Sequence, residues 1–162
     1  MPANLAKGYI SADSHIYEPD DMWATRMDKR FRDRAPHRER ISGVDFFCLD
    51  GVPPMPVVGI IGATVQDKMA GPGQVTSVLR RNDEVRRGAW DPHERLADQD
   101  LDHVRAEVMF PGVGLTFYAI PDAEYQRECI RVYNDWLAEF CSANPQRFVG
   151  AAMLPMYGIE AA

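Results

Sequence analysis

The feature of this chain that most constrains its fold is a long amphipathic segment between two short apolar runs. Apolar residues recur at helical spacing from about Asp122 to Ala143, which predicts a helix with one buried face. The apolar runs cover residues 106–110 and 147–154, and each ends at a proline, so both predict strands. Strand, helix and strand in this order form a βαβ unit, so we expect parallel strands joined by a right-handed crossover. The second run is nearly continuous, which is typical of a strand buried on both faces.

Two further elements extend this alternation toward the N-terminus. Residues 8–13 (GYISAD) predict a first, short strand. Residues 91–94 (DPHE) predict the start of a helix, because Asp91 is a natural N-cap, Pro92 suits the first helical position and Glu94 completes a capping box. The apolar face of that helix is expected to consist of Leu96, Leu101 and Val104. Residues 159–162 predict the beginning of another helix.

A long insertion separates the first strand from this helix. Residues 20–40 are charged and irregular, with one helical turn around residues 22–27, and we expect residues 26–40 to form a solvated loop. Residues 44–49 and 57–61 predict the arms of a hairpin with Asp50-Gly51 as its turn. Residues 62–88 are rich in Gly, Gln, Asn and Arg and predict a long loop of the kind that is usually functional or mobile.

The fold class that follows is α/β, with strands and helices alternating around a parallel sheet. Two architectures fit this order: an open doubly wound sheet and a (β/α)8 barrel. No G-x-G-x-x-G segment follows the first strand, which disfavours a dinucleotide-binding fold. In both architectures functional residues gather at the C-terminal ends of the strands.

Charge and apolar patterning disfavour several classes of function. The formal net charge of -6 at pH 7, without a Lys/Arg stripe, disfavours nucleic-acid binding. No apolar run is long enough to span a membrane, and the first residues lack the apolar core of a signal peptide. The cysteines Cys48, Cys129 and Cys141 match no disulfide or zinc framework. We therefore expect buried free thiols, with Cys129 and Cys141 on the inner face of a helix, in a reducing cytoplasm.

The chemistry of the chain is concentrated in residues 10–19. Asp13 and His15 lie two residues apart at the end of the first predicted strand, where alternate side chains point to the same side. A carboxylate and an imidazole that reach one point suit Zn²⁺ or Mn²⁺. Other roles stay open on spacing alone, since Asp13 fits a turn cap and Glu18 fits an exposed loop. The remaining histidines, His37, His93 and His103, follow no predicted strand.

Five segments in order carry a resemblance to a known family. They are residues 10–19 (ISADSHIYEP), 90–100 (WDPHERLADQD), 106–112 (AEVMFPG), 133–141 (YNDWLAEFC) and 145–156 (PQRFVGAAMLPM). Together they resemble the amidohydrolase-related proteins close to aminocarboxymuconate semialdehyde decarboxylase. The resemblance spans nearly the whole chain, and residues 42–88 are its least characteristic part.

This resemblance implies a metal-dependent hydrolase or decarboxylase on a (β/α)8 barrel, acting on a small carboxylic acid, amide or ester. It implies that Asp13 and His15 hold one divalent ion, zinc or manganese. Other relatives have His-x-His at this point, and the carboxylate of Asp13 shifts the preference toward manganese. We expect Glu18, Trp90 and Phe110 to line the substrate pocket.

The resemblance also implies that residues 1–162 form the N-terminal portion of one such domain, with about three βα units and an insertion at 42–88. The family completes its site with histidines after strands five and six and an aspartate after strand eight, and none of these can be assigned here. The expected function is therefore that of a truncated hydrolase or carboxy-lyase, inactive alone. Two alternatives stay open: an interaction module completed by a second chain or a homo-oligomer, and a complete small enzyme with a partial site.

Overall fold

The chain alternates strands and helices around two three-stranded sheets. The structure is a computed structural model and describes residues 8–57 and 85–158. In chain order its elements are β1 (Tyr9–His15), α1 (Met22–Arg26), β2 (His37–Ile41), β3 (Val44–Leu49), β4 (Val52–Pro56), α2 (Pro92–Leu101), β5 (Val104–Phe110), α3 (Ala123–Ser142) and β6 (Phe148–Gly150). Short 3-10 helices cover Lys29–Arg34, Arg87–Ala89 and Val113–Ala119. None of the helices in these ranges is long and apolar enough to cross a membrane.

The larger sheet has the strand order β1-β5-β6, and both pairings are parallel. The predicted α/β class with a parallel sheet is therefore confirmed. One face of this sheet carries helices, since Glu107 of β5 contacts Arg95 of α2 and Phe148 of β6 contacts Phe140 of α3. On the other face Ile10 is 66% exposed and Val149 is 52% exposed.

The third predicted strand is shorter and more open than expected. Only Phe148–Gly150 pair with β5, although the apolar run extends to residue 154. Val149 and Leu154 are both more than half exposed, so the prediction of burial on both faces is wrong for the described residues. The apolar composition of this run thus reflects a sheet face that nothing in residues 8–57 and 85–158 covers.

The helix α3 contributes more buried apolar side chains to the core than any other described element. Asp122 caps it by accepting hydrogen bonds from the backbone N–H groups of Glu124 and Tyr125, each at 3.1 Å. The buried apolar side chains of α3 are Tyr125, Cys129, Ile130, Val132, Tyr133, Trp136, Leu137 and Phe140. At Gly150 a Cβ would lie 2.7 Å from Leu137 Cγ, so glycine permits β6 to approach the helix this closely. The predicted inner position of Cys129 and Cys141 is confirmed, because Cys129 is buried and Cys141 packs against the core.

The helix α2 begins as the sequence predicts and ends earlier. Asp91 accepts hydrogen bonds from the backbone N–H groups of His93 and Glu94 at 2.9 and 3.3 Å. Leu101 is exposed and Val104 opens β5, so only Leu96 of the expected apolar face packs against the core. His103, which precedes Val104, has a φ of 59° and lies in the turn after the helix.

The smaller sheet is antiparallel and has the order β2-β3-β4. The predicted turn at Asp50-Gly51 is confirmed, but its second arm is Val52–Pro56 rather than residues 57–61. Most of residues 26–40 are exposed to solvent as expected, but the prediction of an irregular loop is wrong, because the segment contains a 3-10 helix and β2. The single turn predicted around residues 22–27 is α1. Residues 58–61 of the hairpin prediction, 62–84 of the loop prediction and the helix start at 159–162 lie outside the described residues.

An aromatic cluster joins the two sheets. The ring of Trp23 in α1 lies 5.4 Å from that of Phe47 in β3 and 5.6 Å from that of Phe117 in an edge-to-face arrangement. All three side chains are buried. Contacts of this geometry stabilise a core by about 0.5–1.5 kcal/mol beyond the area that they bury. The hairpin insertion is therefore packed on the same core that supports the parallel sheet.

Candidate metal centre

A bulge near the C-terminal end of β1 sets the positions of the two candidate ligands. Ser11 pairs with Glu107 and Ser14 with Met109, so β1 has one more residue than β5 between these two pairs. The hydroxyl groups of Ser11 and Ser14 lie 2.7 Å apart. Asp13 and His15 both lie within β1, which ends at His15, two residues beyond the predicted strand end. Their side chains are 81% and 45% exposed, so an ion can reach both from solvent.

The imidazole of His15 is oriented by a backbone carbonyl. Its Nδ1 lies 2.8 Å from the carbonyl oxygen of Pro111, which follows β5. Because a carbonyl oxygen only accepts hydrogen bonds, Nδ1 carries the proton, and Nε2 of the neutral ring keeps its lone pair. Metal-binding histidines are held in this way, with the second nitrogen bonded to a carbonyl or carboxylate.

The distance between the two candidate ligand atoms fits a shared ion. His15 Nε2 lies 3.5 Å from Asp13 Oδ1. Two ligands at about 2.1 Å from a tetrahedral ion are separated by about 3.4 Å. The pair therefore has the spacing of two ligands before any ion is bound. Within residues 8–57 and 85–158 no third His, Cys, Asp or Glu joins this pair to make a group of three.

Phe110 is brought to the candidate centre, whereas the contact shown for the Trp90 side chain is with Arg87. Phe110 is the strand partner of His15, and their ring centroids are 6.2 Å apart. The backbone N–H of Tyr17 donates to the carbonyl of Ala89 at 2.8 Å, which holds the turn before Trp90 next to the end of β1. The indole of Trp90 itself packs under the guanidinium of Arg87, 5.6 Å from the ring centroid.

Glu18 is fully buried and anchors the loop that follows β5. Its Oε1 accepts hydrogen bonds from the backbone N–H groups of Gly112 and Gly114 at 2.9 and 3.0 Å, and its Oε2 accepts one from Val113 at 3.1 Å. These residues come directly after Pro111, so Glu18 fixes the carbonyl that orients His15. The exposed-loop alternative for Glu18 is wrong. Burial raises the pKa of this carboxyl group, while the backbone N–H groups of Gly114 and Val113 and the charge of Arg38 act in the opposite direction.

A buried ion pair supports β1 from the helix side of the sheet. Arg95 of α2 donates to both oxygens of Glu107 at 2.8 and 2.7 Å, and Gln99 donates to Oε1 of Glu107 at 2.5 Å. Arg95 also reaches the carbonyl of His15 at 3.5 Å. Burial of Glu107 opposes its ionisation, but the hydrogen bonds and charge of Arg95, with Ser14 and Gln99, outweigh this and hold its pKa below the usual range.

Three of these supporting residues were not found from the sequence. The role of Pro111 depends on its backbone carbonyl, which leaves no signal in residue type. Arg95 and Glu107 did leave one, because a glutamate inside the apolar run 106–110 needs a buried partner, and the nearest predicted helix carries an arginine.

Comparison with known proteins places the fold. No family model matches the sequence, and no curated protein matches it. The chain is similar in structure to an amidohydrolase from Mycobacterium avium subsp. paratuberculosis K-10, with a TM-score of 0.60 and 20% identity. The match covers 91% of this chain and 42% of that one, so the chain spans less than half the length of that amidohydrolase. At this identity the likeness shows the fold alone.

Two further solved structures are matched less well. They are 2,6-dihydroxybenzoate decarboxylase from Rhizobium, at 18% identity, and 2,6-dihydroxybenzoate decarboxylase complexed with 2,6-dihydroxybenzoate, at 20% identity. Each match has a TM-score of 0.46 and covers 96% of this chain and 32% of the other.

Proposed function

We propose that the protein is a metal-dependent hydrolase or carboxy-lyase of the amidohydrolase superfamily, in which Asp13 and His15 hold one divalent ion. The proposed ion is zinc or manganese, and the proposed substrate is a small carboxylic acid, amide or ester. The observation that carries the proposal is the paired geometry of the two side chains: Pro111 holds the His15 tautomer, and Nε2 lies 3.5 Å from the Asp13 carboxylate. A surface Asp and His without a common ligand need no such orientation.

The sheet supports a partial (β/α)8 barrel as the setting of this site. The three parallel strands follow one another in the order of the chain, and the contacts of Glu107 and Phe148 place α2 and α3 on one face. A doubly wound sheet carries helices on both faces, whereas a barrel carries them on the outside. The exposed apolar side chains of Ile10 and Val149 then correspond to the barrel interior. The described residues supply two of the eight βα units and the strand of a third, with the hairpin as an insertion after β1.

The residues of the chain have distinct roles in this proposal. When bound, the ion would polarise a substrate oxygen or lower the pKa of a water molecule, which serves hydrolysis and decarboxylation alike. Asp13 and His15 bind the ion, and Glu18 keeps the loop of Pro111 in the position that leaves Nε2 free to bind. Phe110 shields one side of the imidazole from water, and Trp90 contributes an apolar surface at the edge of the site.

Manganese binding by the full chain tests the proposed centre. Mn²⁺ prefers oxygen and nitrogen donors, and its free ion gives an electron paramagnetic resonance signal that disappears on binding. We expect one Mn²⁺ per chain, and a loss of affinity of more than about tenfold in Asp13→Asn and in His15→Ala, because even the loss of an outer partner costs about 10–100-fold.

The matched control is His93→Ala, which removes an exposed histidine of α2. This variant keeps the affinity of the unmodified chain. Equal Mn²⁺ binding by Asp13→Asn and the unmodified chain would overturn the assignment, and so would an equal loss in His93→Ala. Circular dichroism of each variant separates a lost ligand from a lost fold.

A second candidate function is association through β1. Among the described residues β1 is an outer strand of its sheet, and Tyr9 and Ile10 are exposed on it. Outer strands pair readily with strands of other chains. A homo-oligomer or a complementing chain would then complete the barrel. Size-exclusion chromatography with light scattering tests the first case, and a monomer over the whole concentration range would rule it out.

A further inference from the structure

A second group of metal-binding side chains lies on the outer face of the small antiparallel sheet. His37 of β2 is directly opposite Cys48 of β3. Glu39 lies two residues after His37 and therefore points to the same face of the sheet. One ligating atom from each of the three side chains lies within 4.8 Å of the others. We propose that His37, Glu39 and Cys48 bind a divalent ion of borderline softness such as Zn²⁺, at a site separate from Asp13 and His15.

The imidazole of His37 is held in the state that a metal ligand needs. Its Nδ1 lies 3.0 Å from the carbonyl oxygen of Ala35. That oxygen can only accept, so Nδ1 donates, and Nε2 is left with a free lone pair. Ala35 thus has the same relation to His37 as Pro111 has to His15, although the two sites lie on different sheets.

The separation of the three groups is close to that of a formed site. Zinc bonds of about 2.0–2.3 Å in a tetrahedral arrangement separate the ligand atoms by about 3.3–3.8 Å. The three ligand atoms are at most 4.8 Å apart, so the two most distant ones must approach each other by about 1–1.5 Å when the ion binds. His37 and Glu39 are exposed and can rotate by this amount without disturbing the core. No movement of the backbone is needed, because strand pairing already places His37 opposite Cys48.

The donor set decides which ion fits. A thiolate with an imidazole prefers Zn²⁺ over Mg²⁺, Ca²⁺ or Mn²⁺, whereas Asp13 and His15 offer no sulfur. When the metal–sulfur bond forms, the S–H bond of Cys48 breaks and its proton goes to solvent. Glu39 binds as a carboxylate and His37 as a neutral ring. Three protein ligands leave one position for water or for a ligand from outside the chain.

The arginines of the same strand do not compete for this position. Arg38 donates to the carbonyl of Glu18 and pairs with Asp20. Arg40 donates to Asp45 at 2.9 Å and to the carbonyl of Gly43 at 2.8 Å. Both guanidinium groups are therefore engaged elsewhere, and the positive charge of an incoming ion meets the carboxylate of Glu39 first.

Cobalt substitution tests this site without interference from the other one. Co²⁺ replaces Zn²⁺, and a bond between cobalt and a thiolate gives a charge-transfer absorption in the near ultraviolet that nitrogen and oxygen donors do not give. We expect this absorption to saturate when one Co²⁺ is bound to the Cys48 site of each chain, and to disappear on addition of Zn²⁺. It should be absent in Cys48→Ser, and Co²⁺ affinity should fall by about tenfold or more in His37→Ala and Glu39→Gln, as for the loss of a metal partner.

Two controls keep the outcome interpretable. Cys141→Ser removes another half-buried thiol and retains the absorption, and the variant with both Asp13→Asn and His15→Ala retains it as well. In the unmodified chain, Zn²⁺ should protect Cys48 but not Cys141 from alkylation by iodoacetamide, which needs no variant that folds. No thiolate absorption with Co²⁺, its persistence in Cys48→Ser, or equal protection of both cysteines would overturn the proposal. Loss of Mn²⁺ binding at Asp13 and His15 leaves it standing.

Discussion

Removal of Arg95 should destabilise the chain because it leaves the carboxylate of Glu107 buried without its counter-ion. Only 4% of the Glu107 side chain is exposed, and both of its oxygens accept from Arg95. Loss of one partner of a buried ion pair costs about 3–5 kcal/mol. A domain of this size has a total stability of about 5–15 kcal/mol, so Arg95→Met is expected to lose a large part of it.

The assay is urea unfolding of the full chain, followed by circular dichroism, in a double-mutant cycle of Arg95→Met and Glu107→Leu. The double variant should recover most of the loss, because an apolar pair of similar volume is often as stable as a buried ion pair. The matched control is the pair Arg26 and Glu139, which is joined at 2.8 Å but lies largely in solvent. Its coupling energy should not exceed about 1 kcal/mol.

The pH dependence of stability gives an independent check of the same ion pair. Arg95, Ser14 and Gln99 hold the pKa of Glu107 below its usual range despite burial. The stability that this shift contributes is present above the ordinary glutamate pKa of about 4.3 and is lost as the pH falls through the folded value. In Arg95→Met the hydrogen bonds of Ser14 and Gln99 remain, but the largest opposition to burial is gone. We therefore expect the pKa of Glu107 to rise in this variant, which then gains stability relative to the unmodified chain as the pH falls. A coupling energy below about 1 kcal/mol, or an unchanged pH slope in Arg95→Met, would refute the reasoning.

Three further outcomes are expected from other contacts. Glu18→Ala should weaken Mn²⁺ binding by about 10–100-fold, although Glu18 does not bind the ion itself. Glu18→Gln keeps an acceptor for the loop and should restore part of the affinity. Equal Mn²⁺ affinities of Glu18→Ala and the unmodified chain would refute a positioning role. Asp122→Ala should lower the free energy of unfolding by about 1 kcal/mol through loss of the α3 cap, measured in urea, and no change would refute the cap. Gly150→Ala should cost about 1–3 kcal/mol, because its Cβ would meet Leu137, and a neutral effect in the same assay would show that β6 can shift.

The elements that the sequence predicted well are those with local causes. The cap at Asp91, the helical spacing of α3 and the turn at Asp50-Gly51 act within a few residues, and each is present in the structure. The proximity of Asp13 and His15 was predictable for the same reason, since their spacing on a strand is local. The bulge that shapes β1 was not, because it depends on the register against β5.

The strand β2 shows why the rest could not be predicted from periodicity. Its sequence, His37–Ile41 (HRERI), has no apolar residue before Ile41, and it forms a strand because β3 offers it a partner. Arg38 covers the ring of Tyr17 at 4.1 Å, so a charged residue serves as the inner face of the strand. One local signal was present in the sequence, the dipeptide Ser42-Gly43. In the structure these residues have φ values of 51° and 85°, which suit a two-residue hairpin turn. That turn determines the register that places His37 opposite Cys48.

The strand β4 was not predicted, because prolines disfavour a strand in the sequence. Val52–Pro56 contains Pro53, Pro54 and Pro56, and proline cannot donate a hydrogen bond within a sheet. β4 pairs only with β3 and is the outer strand of its sheet in the described residues, where proline is tolerated.

The order of strands in the parallel sheet has a consequence for how the candidate centre assembles. The contact between His15 and Pro111 closes a loop of 96 residues, whereas that between Val104 and Arg147 closes one of 43. Closing the longer loop costs about 0.7 kcal/mol more in chain entropy. We therefore expect β5, α3 and β6 to form first and β1 to dock last, and to open first in the folded protein. Amide hydrogens of β1 should exchange faster than those of β5, so the strand that carries the proposed ligands is released more easily than its neighbour in the sheet.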